Sequence, residues 1–178
     1  MGNKPQRRAA VLLLLLEKQG ETYVIFTKRT DRVAYHKNQI SFPGGTVEEA
    51  DGSLLNTALR ETEEELGIRP DQIEILEQLS TINISVSDYD VTPFVGRLLT
   101  APKYASDSAE VAEVIEAPLS VFQDPANFWE ETKVYPEGPR VVNFFRYGDH
   151  IIWGATAKIL REFLEKSGTF PTTQPHPQ

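Results

Sequence analysis

At 178 residues, with 40% apolar and 25% charged side chains, the chain can build one domain with a substantial core and carries no long biased tract. Its formal net charge of -8 argues against a general nucleic-acid binder, whose surface would be basic to neutralise phosphates. The absence of cysteine excludes a disulfide framework and thiol chemistry and fits a cytoplasmic protein.

Ala9 to Leu16 is an apolar run of eight residues, far short of the roughly 20 that a membrane-spanning helix needs. Arg7 and Arg8 would suit a signal peptide, but Glu17-Lys18-Gln19-Gly20 follows with no small-residue cleavage site, so a buried strand is expected. Residues 8–16 and 22–28 flank a polar, glycine-bearing turn and predict a hairpin, Val24, Ile25 and Phe26 giving the second run strand character. A basic loop from Lys28 to Lys37 leads into Ser41-Phe42-Pro43-Gly44-Gly45, where paired glycines let another group approach the backbone.

Asp51 or Ser53 caps a helix that Gly67 closes. Residues 73–80 and 90–99 read as strands joined by a polar loop at 83–90, residues 110–117 as another strand, and 118–122 as a turn of helix. Residues 129–135 and 140–147 form a hairpin about Pro136-Glu137-Gly138-Pro139, and a final helix covers about 153–166, with Trp153 expected in the core at its start. The Pro/Thr/Gln tail, 168–178, is expected to be disordered, which leaves residues 1–167 as a single α+β domain, a mixed sheet with helices packed against it.

The chemistry-bearing stretch is the helix after the glycines. At about 100° per residue, Leu55, Ala58, Leu59, Thr62 and Leu66 fall on one stripe, expected to face the core. Glu61, Glu64 and Glu65 are expected on the opposite side, at spacings that make them neighbours, with Arg60 beside Glu64 and Glu63 solvated. Three carboxylates on one face repel unless a cation lies between them, and hard divalent ions take such oxygen ligands together with phosphate oxygens. A bare carbonyl from the glycine loop could add a ligand. A solvated acidic helix face is the competing reading of the glutamates alone.

Arg60-Glu61-Thr62-Glu63-Glu64-Glu65-Leu66-Gly67-Ile68 resembles the second half of the Nudix box, Gly-x5-Glu-x7-Arg-Glu-U-x-Glu-Glu-x-Gly-U, with Thr62 in place of an aliphatic residue. Gly45 to Arg60 is one residue longer than that pattern, and Asp51 stands where its isolated glutamate belongs. The resemblance implies a Nudix fold, a mixed sheet sandwiched between helices, and a pyrophosphohydrolase dependent on Mg2+ or Mn2+. It implies Glu61 and Glu65 as principal metal ligands and Glu64 as a further ligand or the proton acceptor. The Gly45 carbonyl would complete the shell, and Arg60 would orient the carboxylates. In this family the catalytic base sometimes lies on a later loop, for which Glu110 and Glu113 are candidates, ordinary exposed acids being the other reading.

Thr27-Lys28-Arg29-Thr30 and His36-Lys37-Asn38-Gln39-Ile40-Ser41-Phe42-Pro43-Gly44-Gly45 are similar to the signature upstream of the box in coenzyme A pyrophosphatases. Thr30, Ala34 and Asn38 depart from it, and similarity continues through Val91–Gly96, Glu116–Leu119 and Ile152–Ala157. The substrate this implies is coenzyme A or an acyl derivative, cut to 3′,5′-ADP and (acyl-)4′-phosphopantetheine. Lys28, Arg29, Arg32, His36 and Lys37 would supply positive charge for its phosphates, Arg29 foremost because its planar fork suits bidentate contact, with Gly44 and Gly45 beside them. A solubilising loop is the competing reading. ADP-ribose, NADH or a nucleoside triphosphate is the alternative substrate, favoured by Ala34, and a Nudix-fold binding module without turnover is a third possibility. The expected partner is thus a small nucleoside diphosphate derivative, not nucleic acid or membrane, and a homodimer is compatible with the sequence.

Overall fold

The run expected as a buried strand, Arg7–Lys18 (β1), is the axis of the molecule. Leu12, Leu13 and Leu14 are all closed to solvent, so both faces of the strand are covered and its sequence is an unbroken apolar run rather than an alternation. The computed structural model describes residues 7–30, 39–84, 88–105 and 109–170. β1 turns through Gln19-Gly20 into Glu21–Arg29 (β2). Both turn residues have positive φ, 55° and 80°, which matches a two-residue hairpin to the twist of its strands.

Two short strands follow. Ile40–Ser41 (β3) pairs with β2, and Gly44–Thr46 (β4) pairs with the first half of β1. After the helix Leu54–Leu66 (α1) come Ile73–Gln78 (β5), Ile82–Ile84 (β6) and Tyr89–Leu98 (β7). β7 runs parallel to β1, with β5 and β6 antiparallel to it, while Val111–Pro118 (β8) lies antiparallel to β2. Together they form an eight-stranded mixed sheet with the path β3-β2-β1-β7-β5. The short helix Leu119–Gln123 (α2) leads to a separate antiparallel sheet of Phe128–Tyr135 (β9), Gly138–Tyr147 (β10) and His150–Trp153 (β11). The helix Gly154–Lys166 (α3) follows.

Alternate residues of β1 enter opposite cores. Ala10, Leu12, Leu14 and Leu16 pack with Ile25, Phe94 and, from α1, Ala58 and Leu66. Leu13 and Leu15 pack with Val24, Phe26, Phe122, Phe145 and, from α3, Ala157 and Leu160. The mixed sheet therefore lies between α1 and α3, the α+β sandwich expected for a single domain.

Four elements differ from expectation. β3, β4, β6 and β11 are two to four residues long, too short to carry a periodic pattern, and β6 enters the segment read as a polar loop. Trp153 is 39% exposed rather than in the core, in line with Trp129 and Phe144 across three strands. The segment read as a disordered tail keeps Gly168–Phe170 folded: Phe170 donates its N–H to Leu164 and packs edge-on against Phe128 at 5.1 Å. Residues 171–178 lie outside the described residues. No described helix is long and apolar enough to cross a membrane.

Phe26 stacks on Phe42 at 5.0 Å and meets Phe122 of α2 edge-on at 5.8 Å, and Phe122 in turn meets Phe145 of the second sheet at 5.7 Å. Phe26→Ala is expected to cost about 3–5 kcal/mol in urea unfolding. A loss below about 1 kcal/mol would mean that this cluster collapses onto the void or was never tightly packed.

Candidate active site

Ser53 starts α1 by accepting the Asn56 N–H at 3.1 Å, and the Gly67 N–H ends it by donating to the Glu63 carbonyl at 2.8 Å. Between these caps the buried side chains are Thr57, Ala58, Thr62, Glu65 and Leu66. This corrects the expected orientation. Glu65 lies on the inward arc with Ala58 and Thr62, Glu61 is half-buried beside it, and Glu64 is exposed, while Leu55 and Leu59 are only partly covered. Glu63 is exposed, as expected.

The inward carboxylates fit because β4 crosses this face with glycines. A Cβ on Gly45 would sit 2.4 Å from the Glu61 carboxyl carbon, and the Gly44 N–H donates to Glu65 Oε2 at 3.2 Å. Burial pushes the Glu65 carboxyl up from 4.5 to about 8, against the pull of that hydrogen bond, and it raises Glu61 as well, with Arg60 opposing.

Arg60 is the hub that holds the acids in place. It grips Asp51 through Nε at 2.7 Å and Nη2 at 3.2 Å, and Nη2 also donates to the Thr46 carbonyl at 3.2 Å. Its Nη1 reaches Glu61 at 3.0 Å and Glu64 at 3.3 Å. Asp51 accepts further from the Glu48 N–H at 2.8 Å and the Thr57 hydroxyl at 2.7 Å. The Arg60 guanidinium, helped by those donors, holds the Asp51 carboxyl well below the usual carboxylate range. Asp51, expected as a helix cap or as the stand-in for the isolated glutamate of the box, is instead the anchor of Arg60. Its signal was the spacing from Gly45, which put an acid where Arg60 needs one.

The flanking charges divide between the faces of the sheet. Ile25, and Arg29 four residues on, face α1, whereas Phe26 and Lys28 face the α3 side. Arg29 pairs with Glu110 at 3.1 Å, and both charges act on Glu65. Lys28 pairs with Glu113 at 3.7 Å, and Glu113 also lies 3.6 Å from His150, so Glu113 is not brought to the α1 carboxylates. Arg32, His36 and Lys37, with Ala34 and Asn38, lie outside the described residues.

Among the described residues no three acidic or histidine side chains converge as a ready-made metal cage. Arg60 draws Glu64 outward while the Gly44 N–H holds Glu65 inward. The donors nevertheless suit a hard divalent ion. They are all oxygens, and two of them are carboxylates whose burial a cation would compensate.

A family model described as NUDIX domain matches residues 6–137. An uncharacterized Nudix hydrolase, NudL, of Photorhabdus laumondii subsp. laumondii is 36% identical over 168 residues, covering 90% of this chain and 84% of that protein. An uncharacterized Nudix hydrolase NudL of Citrobacter koseri is 33% identical, covering 96% and 88%. The solved structure of RenU, a Nudix hydrolase from M. smegmatis, is similar in fold, with a TM-score of 0.64, 15% identity and coverage of 95% and 90%.

Two outcomes follow from the packing of Glu65 and Glu61. A carboxyl raised on folding stabilises the protein fully below about 4.5 and ceases to do so as the pH rises through about 8. In EDTA the Tm is expected to fall across that window, and to fall less in Glu65→Gln; equal slopes in calorimetry would remove Glu65 as the cause. Gly45→Ala must displace Glu61, and we expect it to weaken manganese binding roughly 10–100-fold by titration calorimetry. Unchanged affinity would mean that Glu61 is not a ligand.

Proposed function

The chain belongs to the Nudix hydrolase family, and from that premise we propose that it cuts the diphosphate of coenzyme A or an acyl-coenzyme A. The products are 3′,5′-ADP and 4′-phosphopantetheine or its acyl form. What supports this reading most is Arg29. Among the described residues it is the charged residue of the upstream signature that reaches the α1 face, and its ion pair with Glu110 acts electrostatically on Glu65.

Glu61, Glu64 and Glu65, with the Gly45 carbonyl, would hold magnesium or manganese. When bound, the ion supplies positive charge against the diphosphate oxygens and acidifies water. The chain's own residues do the rest. Arg60 fixes Glu61 and Glu64 relative to β4 by gripping Asp51 and the Thr46 carbonyl. Glu64, exposed beside Arg60, or Glu110, across from α1, takes the proton of the attacking water. Arg29 offers a forked donor to a phosphate, and the bare glycine backbone of β4 lets the diphosphate come close.

Mass-spectrometric product analysis with magnesium or manganese tests the substrate. Coenzyme A should exceed dephospho-coenzyme A by roughly tenfold or more in kcat/KM, the worth of one charge-assisted phosphate contact. Equal rates would remove any role for the 3′-phosphate, and faster cleavage of ADP-ribose, NADH or a nucleoside triphosphate would move the assignment to that substrate. Glu64→Gln should lower kcat by roughly 100-fold if Glu64 is the proton acceptor.

A further inference from the structure

We propose that the Arg29–Glu110 ion pair is a substrate-operated latch, in which the Glu110 carboxylate occupies the seat of a substrate phosphate until that phosphate displaces it. This rests on the diphosphatase reading of the site but not on coenzyme A as the substrate.

The register of β2 and β8 breaks here. Lys28 lies opposite Glu113, yet Arg29 lies opposite Val111, so one extra residue of β8 is accommodated between them. Such a bulge re-aims the side chains that follow it. Beyond it the backbone is fixed again, the Thr30 N–H donating to the Glu110 carbonyl at 3.0 Å and the Thr30 hydroxyl to the Ala109 carbonyl at 3.4 Å. Glu110 is thus anchored by its main chain, while its side chain is 59% exposed and held by Arg29.

The contact itself is half made. Arg29 Nη2 donates to Glu110 Oε2 at 3.1 Å, but Arg29 Nε is buried and meets no acceptor among the described residues. A guanidinium edge presents Nε and Nη2 as a fork, and a phosphate can take both prongs. Glu110 takes one. A buried donor left idle by its present partner marks a seat shaped for a different one. The present pair is also partly solvent-exposed, a class weak enough to be exchanged.

When a phosphate takes the fork, Glu110 is released beside the α1 carboxylates, on which its charge already acts. It then accepts a proton as the water oxygen forms its bond to phosphorus. The bridging P–O bond of the diphosphate breaks, and its electron pair leaves with the departing phosphate. Only a ligand with an anion at Arg29 would arm this base.

Titration calorimetry of inorganic pyrophosphate against the full chain without divalent ions tests the exchange, in wild type, Glu110→Gln, Arg29→Gln and the double variant. Glu110→Gln should bind about two- to fivefold tighter, since nothing has to be displaced, and this gain should vanish in the Arg29→Gln background. A gain that persists without Arg29 would reflect general charge removal and overturn the latch, as would unchanged or weaker binding in Glu110→Gln, or no binding in either. A second readout is the side-chain 15N resonance of Arg29 Nε, assigned through Arg29→Lys. It should shift on adding pyrophosphate, and a stationary signal likewise overturns the proposal. Because pyrophosphate carries no adenosine, failure of the coenzyme A assignment leaves these outcomes untouched.

Discussion

Glu61 and Glu65 stand where a helix packs on a sheet, a place that normally admits only apolar side chains, and the paired glycines of β4 admit them, Gly45 leaving room for Glu61 and the Gly44 N–H meeting Glu65. Burying a carboxylate is unfavourable unless donors or a cation answer it. Glu65 has one backbone donor, from Gly44, and its proton affinity rises accordingly. Much of the architecture serves this packing. β4 can lie on the first half of β1 because β2 pairs with the second half, so one strand carries both the hairpin and the glycine crossing.

Strand alternation then sorts the remaining charge. Adjacent residues Lys28 and Arg29 sit on opposite faces of the sheet, and β8 delivers Glu113 to the first and Glu110 to the second. Two cations adjacent in sequence are therefore parted in space. The side toward α1 gains the Arg29 fork and the Glu110 carboxylate. The side toward α3 gains a network of Lys28, Glu113 and His150, the last stacked on Tyr147 at 6.3 Å.

The long strands, the two main helices and the α+β class were legible because their apolar residues repeat at the spacing of strand or helix over many residues. The identity of the acidic helix was legible from spacing alone. Its orientation was not. Periodicity assigns carboxylates to water; the room left by Gly45 for Glu61 and the Gly44 N–H that holds Glu65 explain why they turn the other way. The placement of Glu110 depends on a bulge, which leaves no compositional mark. Phe170 was hidden by its polar neighbours, although one aromatic ring suffices to fold back on Phe128.

Asp51 shows how a departure from a family pattern can preserve its physics. It keeps the pattern's spacing from Gly45, so the extra residue lies between Asp51 and Arg60, where Gly52 adopts a positive φ of 69° before Ser53 caps the helix. An aspartate is shorter than the glutamate it replaces, yet it still meets the guanidinium through both oxygens, because the 3-10 turn Glu49–Asp51 carries it inward until it is almost fully covered. The longer loop and the shorter side chain are thus two halves of one adjustment. With Asp51 fixed by Glu48 and Thr57, Arg60 has a rigid counter-charge, and its remaining donors can orient Glu61 and Glu64. The geometry of the acidic face is therefore set from outside that face, by an anion that need never touch substrate or metal.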